Sequence, residues 1–441
     1  MWRVLRNKTY RHLFFAQVIA LLGTGMATVA LGLLAFDLAG ANAGVVLGTA
    51  LAIKMTAYIA VAPVASAFAQ KLPRRTLLVG LDLVRAAVAL SLPFVSEVWQ
   101  IFILIFVLQC ASAAFTPLFQ ATIPDILSDE TDYTHALSLS RLAYDLESVV
   151  SPMLAALALS LVSYHALFGA TVVGFLASAA FVISVVLPIA KPPAARGIYD
   201  RTTRGLRIYL ATPRLQGLLA MNLPIASGSA MVIVNTVVLV QSNFGLTQIA
   251  TAWALALFGA GSMIVALALP KLLERLPERK VMLSGAAVIA IGLLIGFLAA
   301  KRYEWLLPLW FVLGLGYSLA QTPSGRLLRR SSNDEDRPAL FAAQFALSHA
   351  CWLITYPLAG WLGAQYGLTT SFVALGLLAL VSTALTAYLW RGQDAATLLH
   401  DHATLAPSHP HIAGSEPPKE GRVTRHEHAF VIDDDHPRWP T

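Results

Sequence analysis

Three His-x-His pairs follow the last long apolar stretch of this 441-residue chain. They are His400-Asp401-His402, His409-Pro410-His411 and His426-Glu427-His428, with His436 just behind Asp433-Asp434-Asp435. Seven of the eleven histidines fall in this final segment. Imidazole and carboxylate suit divalent nickel, cobalt, copper and zinc. Residues two apart on an extended strand point to the same side, so each pair can chelate one ion. The competing reading is a polar tail whose histidines are incidental. Ordinary composition would put about one histidine in such a stretch, so the excess favours metal ligation.

The elements that must position this array lie in a membrane. The chain is 57% hydrophobic and only 12% charged, far from a soluble globular composition. A helix needs about 20 apolar residues to cross a bilayer. Twelve stretches qualify: 13–36, 44–68, 76–95, 98–118, 135–161, 165–189, 216–240, 249–270, 281–300, 304–324, 339–364 and 368–390. The basic start, Met1 to His12, runs straight into the first span with no cleavage-site pattern, so no removable leader is expected. Cys110 and Cys351 both fall inside spans, so no disulfide framework is implied.

Lysine and arginine cluster in alternate loops. Arg3, Arg6, Lys8 and Arg11 precede span 1, and Lys71, Arg74 and Arg75 follow span 2. Arginines crowd the segment between spans 6 and 7, and basic residues follow spans 8 and 10. The opposite loops hold only Lys301 and Arg302. The positive-inside rule then places both termini in the cytoplasm, and the cell (inner) membrane is the expected location. The net charge of +7 reflects this bias and does not argue for nucleic acid.

The chain repeats itself. Trp99 and Thr116-Pro117 of span 4 match Trp305 and Thr322-Pro323 of span 10, and Asp129-Glu130 matches Asp334-Glu335 in the following loops. Pro152 of span 5 matches Pro357 of span 11, and Leu72-Pro73 after span 2 matches Leu276-Pro277 after span 8. Such register predicts a duplicated six-helix unit, the architecture of secondary transporters with a midplane site. The expected organisation is an all-α membrane protein in four parts. These are a six-helix half over 1–189, a basic cytoplasmic linker over 190–215, a second six-helix half over 216–391 and a disordered His-rich tail over 392–441. A monomer is expected.

With this pattern residues 1–391 resemble the major facilitator superfamily. The loop after span 2 reads Ser66-Ala67-Phe68-Ala69-Gln70-Lys71-Leu72-Pro73-Arg74-Arg75 and keeps the family's final arginine pair, Arg74 and Arg75, with Gln70 where an aspartate is usual. The second-half copy carries Glu274 and Arg275 as its gate charges. Ser151-Pro152-Met153-Leu154-Ala155-Ala156 is similar to the family's exporter signature in helix 5, with small residues in place of glycines. The stretch Arg141-Leu142-Ala143-Tyr144-Asp145-Leu146-Glu147 and the histidine tail look most similar to the superfamily's nickel-resistance exporters. That resemblance implies proton-driven efflux of nickel, and of cobalt as well. It also implies that helix 2 packs near helix 11 and helix 5 near helix 8, which would bring Lys54 towards His349.

Ionisable residues within spans mark pathways or coupling sites by default. Here they include Lys54, Arg141, Asp145, Glu147 and His349, while Asp82 and Arg85, near the cytoplasmic end of span 3, read as structural. Arg141 and Asp145 stand one turn apart and can pair. Glu147 points about 200° away from Asp145 and has no cation one turn away, which makes it the better candidate for a coupling acid. His349 shares a face with Phe345, Trp352 and Tyr356, so packing competes with ligation there. Gln109, Tyr317 and Gln321 form a candidate polar wall, the family's helices 4 and 10 being those that line its cavity.

No Walker-type phosphate loop, catalytic triad or CxxC site occurs, so no cofactor and no enzymatic activity are expected. Two further readings compete with metal export by proton antiport. One is proton-driven export of an amphipathic organic compound, a drug or a siderophore. The other is a sensor in which the tail reads metal and the membrane part only anchors it.

Overall fold

The computed structural model of the chain describes residues 2–40, 43–69, 72–188, 197–299, 301–390, 397–402, 424–436 and 438–440. Within them the first half consists of α1 (Lys8–Ala39), α2 (Ala43–Ala69), α3 (Arg74–Ser91), α4 (Val98–Ile126), α5 (Glu130–Leu159) and α6 (His165–Ile183). A helix with one apolar face, α7 (Ile198–Ala211), leads to the second half. That half consists of α8 (Pro213–Val237), α9 (Gln248–Arg275), α10 (Glu278–Ala299), α11 (Tyr303–Gln321), the short α12 (Ser324–Arg330), α13 (Arg337–Tyr366) and α14 (Leu368–Leu389). Among the described residues, eleven helices are long and apolar enough to span a bilayer, and α11 completes the twelve. Predicted span 10 is shorter than expected. Thr322-Pro323 ends α11, and the chain restarts as α12.

The duplication is visible in the packing. α1 lies on α5 and α6 as α8 lies on α13 and α14, and α2 lies on α4 as α9 lies on α11. α3 packs on α4 and α6 as α10 packs on α11 and α14. Across the halves, α2 meets α13 and α5 meets α9, two contacts that the duplication interchanges. Large apolar side chains such as Leu161, Phe94 and Val381 stay exposed, as hydrocarbon requires of a bilayer-facing surface.

With lipid outside, apolar burial does not drive helix association, so close packing and polar contacts must. The second half uses both. A Cβ added to Gly261 would lie 2.1 Å from the Phe311 carbonyl oxygen, and one on Gly314 would lie 2.0 Å from that of Phe258. α9 and α11 therefore cross with backbone against backbone. Nearby, Asn235 donates to Ala359 O at 3.2 Å, and the Trp310 indole donates to Thr236 at 2.8 Å.

Two expectations change here. The stretch 190–215 is not only a linker, because its second part is α7, which buries Gly205, Ile208 and Tyr209. The tail is not uniformly disordered either. Leu398–His402 (β1) pairs antiparallel with Thr424–His428 (β2). The chain then runs into the apolar cluster around α7 and α8, where Phe430 and Ile432 are buried and Trp439 packs alongside. Their apolar side chains supply the anchorage that the surrounding polar sequence conceals.

Candidate transport path and gate

Halfway along the bundle, the charged groups sort into two sets. On α5, Arg141 donates through Nε to Asp145 Oδ1 at 2.9 Å, and its Nη1 reaches the Tyr317 hydroxyl of α11 at 3.4 Å. The guanidinium also lies over the Tyr317 ring, 4.9 Å from its centre. Asp145 is buried, so this is a compensated pair that also ties one half to the other.

Glu147 faces elsewhere, as its angular offset requires. Its carboxylate lies beside α1, where a Cβ on Gly25 would meet Ser151 Cβ at 2.3 Å and Glu147 Oε1 at 2.9 Å. Small residues at 25 and 151 thus let α1 and α5 close around it. The cation that acts on Glu147 most strongly comes from another helix: Lys54 of α2, ahead of Arg141.

Lys54 is also within electrostatic range of His349 on α13. Between them stands Tyr58, with the Lys54 ammonium 5.6 Å from its ring centre and the His349 ring 4.7 Å away, edge to face. Phe345 and Trp352 complete an aromatic box around His349, at 4.2 Å and 4.9 Å. His349 Nδ1 sits 2.6 Å from Phe345 O. A carbonyl oxygen only accepts, so Nδ1 carries the proton, and in the neutral ring Nε2 keeps its lone pair. Gln109 on α4 and Gln321 on α11 are half-buried. Among the described residues no group of three His, Cys, Asp or Glu side chains comes together to hold a metal ion.

One end of the bundle gathers the arginines. Asp125, at the end of α4, accepts from Arg74 of α3 at 2.5 Å and from Arg337 of α13, joining the halves. Arg326 of α12 bonds Glu130 and Thr134 of α5 across the same divide, the latter at 2.7 Å. Arg329 donates to Ser128 O and lies 5.3 Å from the Tyr133 ring centre. Beneath this layer a cavity of only about 10 Å³ lies between α2, α4 and α13, hardly room for one water. The ion pairs across the divide hold the two halves together at this basic end.

The expected gate charges divide. Arg74 is in the latch, while Arg75 donates to Ile183 O within the first half. Glu274 and Arg275 are exposed at the end of α9, and the carboxylate engaged on that side is Glu278, which holds Arg326 at 2.5 Å and Arg330 at 3.4 Å. Leu276-Pro277 break the helix between them, so Glu274 ends α9 while Glu278 begins α10 and faces α12. Sequence reasoning missed Asp125 and Arg337. The signal for Asp125 was a carboxylate directly after Pro124 at the start of an acidic loop on the side where the other loops are basic. Gln70, whose place in the family holds the latch acid, lies outside the described residues.

The tail has its own geometry. In the ribbon His400 stands directly opposite His426. Opposed residues of an antiparallel pair share a face, with Cβ atoms about 5 Å apart, and residues two apart share it too. His400, His402, His426 and His428 therefore occupy one face. For His400, His402 and His426 only the backbone is described, and His409 and His411 lie outside the described residues. His428 and His436 rings stand 5.1 Å apart, and His436 Nδ1 lies 2.8 Å from Asp433 Oδ1. Burial pushes the Asp433 carboxyl up, but the hydrogen bonds and charge of His436 outweigh it and hold the carboxyl below its usual range.

Residues 13–227 and 218–409 each match the family described as Major Facilitator Superfamily. An uncharacterised MFS-type transporter of Bacillus subtilis (strain 168), YfiS, is 26% identical over 223 residues, 47% of this chain and 51% of the relative. The chain thus spans about half the length of that curated relative. Among solved structures, the human organic anion transporter MFSD10 (TETRAN) superposes with a TM-score of 0.73 over 86% of this chain and 99% of that one, at 13% identity. A variant of the E. coli fucose:proton symporter FucP gives 0.68 over 87% and 98%, also at 13% identity. Identities this low speak for the fold alone. None of the three is described as a nickel exporter, so that narrower resemblance finds no support in them.

Proposed function

The chain belongs to the Major Facilitator Superfamily, and from that footing we propose that it exports divalent nickel-type cations from the cytoplasm in exchange for protons. The observation that carries this reading is the register of β1 and β2, which sets four histidines on one face of a ribbon tied to the basic end. Tethered imidazoles there hold metal at high effective concentration beside the cytoplasmic mouth. In the cavity Glu147 is the exchange point, taking either a proton or the cargo, and Lys54 neutralises it when both are absent. Outward release follows when the halves rock about this site. The Asp125–Arg337 and Glu130–Arg326 pairs close the basic end in that phase and part in the other.

A second reading has one observation of its own. Lys54, Tyr58, Phe345, His349 and Trp352 make an aromatic box with a resident cation, which fits an amphipathic organic substrate better than a naked cation. Vesicles containing the purified protein, loaded with a panel of Ni²⁺, Co²⁺, Zn²⁺ and Cu²⁺ under imposed pH gradients, decide between them. Metal-dependent proton movement supports the first reading. Its absence with every metal overturns that reading and leaves the second.

A further inference from the structure

We infer that the C-terminal segment 429–440 is an internal brace that sets the basic gate, and that its release opens that end. This is independent of the cargo. The gate's second-half contribution comes from one short stretch, α12 and the turn after it, which presents Arg326, Arg329 and Arg337 to the first half. Such a stretch holds three long cationic side chains in place only if its own backbone is fixed, because ordering each side chain costs conformational entropy.

Two arginines outside the gate fix that backbone, and both also hold the tail. Arg214, at the start of α8, donates to Ser331 Oγ at 2.7 Å and to Arg330 O at 3.0 Å. The same guanidinium donates to Phe430 O at 3.2 Å and lies 5.1 Å from the Trp439 ring centre. Arg204 of α7 grips Asp336, the residue before Arg337, with Nη2 to Oδ2 at 2.8 Å, while its Nη1 reaches Asp434 at 3.1 Å. Burial opposes the charge on Arg204, but the two carboxylates outweigh it and keep the guanidinium charged more firmly than usual.

Apolar contacts seat the segment. Phe430 is 4% and Ile432 7% exposed, in one cluster with Ile208 and Tyr209 of α7, Leu215 and Leu218 of α8, and Leu327 and Leu328 of α12. Phe430 and His436 rings meet edge to face at 4.6 Å. The tail therefore touches the elements that carry the gate arginines. Such a brace pre-organises the closed state and does not itself close it.

The test uses spin labels on the full chain in lipid nanodiscs, at Thr131→Cys of α5 and Leu276→Cys at the end of α9, with Cys110 and Cys351 replaced by alanine. Both labelled positions are exposed, at the basic end and on opposite halves. Two variants release the brace: Phe430→Asp combined with Asp434→Asn, and a chain ending after His428. The expected result is at least a twofold rise in the long-distance population in both variants. Distance distributions unchanged in both overturn the inference. Because the readout is a distance and not transport, a failed cargo assignment leaves this result intact.

Discussion

The middle of the helical bundle and the tail ribbon both contain histidine, and they hold it in opposite ways. His349 is enclosed by three aromatic rings, with its Nδ1 committed to a backbone carbonyl and Lys54 within electrostatic range. A resident cation repels another, so this imidazole is poorly placed as a primary metal ligand. In the ribbon His400 and His426 stand directly opposite each other, and His402 and His428 share their face. The difference teaches that, on the proposed reading, cargo capture and coupling are separate tasks. Under that proposal imidazole concentrates the ion at the basic end, and a carboxylate with a lysine counter-ion handles the exchange.

The sharpest way to break this division is Glu147→Gln. Proton-driven flux in vesicles should fall about a hundredfold or more, the scale of losing a proton-transfer group. Metal binding by the tail should be untouched. Normal pH-dependent flux would move the coupling role to Asp145.

The converse experiment replaces His400, His402, His426 and His428 with alanine. Calorimetry on the full-length protein should show metal affinity weakened by about a hundredfold, beyond even the loss of an outer-shell partner. Flux at saturating metal should remain. Unchanged affinity would return these histidines to incidental status and put the organic substrate first.

A smaller effect is expected from His349→Ala, about a threefold loss of metal flux, under 1 kcal/mol. His165→Ala should do nothing, since His165 is exposed at the start of α6 and only stacks on Tyr164. A large His349 effect with an intact ribbon would make the cavity the metal site after all.

One further effect is graded rather than all-or-none. Metal binding by the tail should weaken as pH falls through about 6.5, where ordinary imidazole takes a proton and stops ligating. Titration calorimetry at pH 7.5 and 5.5 reads the shift, and a pH-independent affinity would point to the carboxylates instead.

The spans were legible because about 20 consecutive apolar residues have few other uses. The halves were legible because Trp99 and Trp305, or Pro152 and Pro357, fall at equivalent places. α7 was missed because arginines dominate its composition, although Ile208 and Tyr209 mark its buried face. The tail's docking was missed because Phe430, Ile432 and Trp439 are too few to register as a pattern. At the site, residue types named Glu147, Asp145 and Arg141, and helix geometry separated their faces. The partners could not be read in that way. Lys54 reaches Glu147 from another helix, and Asp125 meets Arg337 from 212 positions away, so only the fold pairs them.

The α9–α11 crossing carries a consequence for how this molecule can vary over time. Gly261 and Gly314 tolerate no side chain, since a single added methyl would collide with a carbonyl oxygen of the facing helix. At the matching places of the first half, 204 positions earlier in span 2 and 206 in span 4, stand Ala57 and Leu108, both buried. The first-half copy of this crossing therefore carries side chains where the second-half copy has none. An apolar replacement can be accommodated at residue 108, whereas any side chain at 261 or 314 must push the two helices apart.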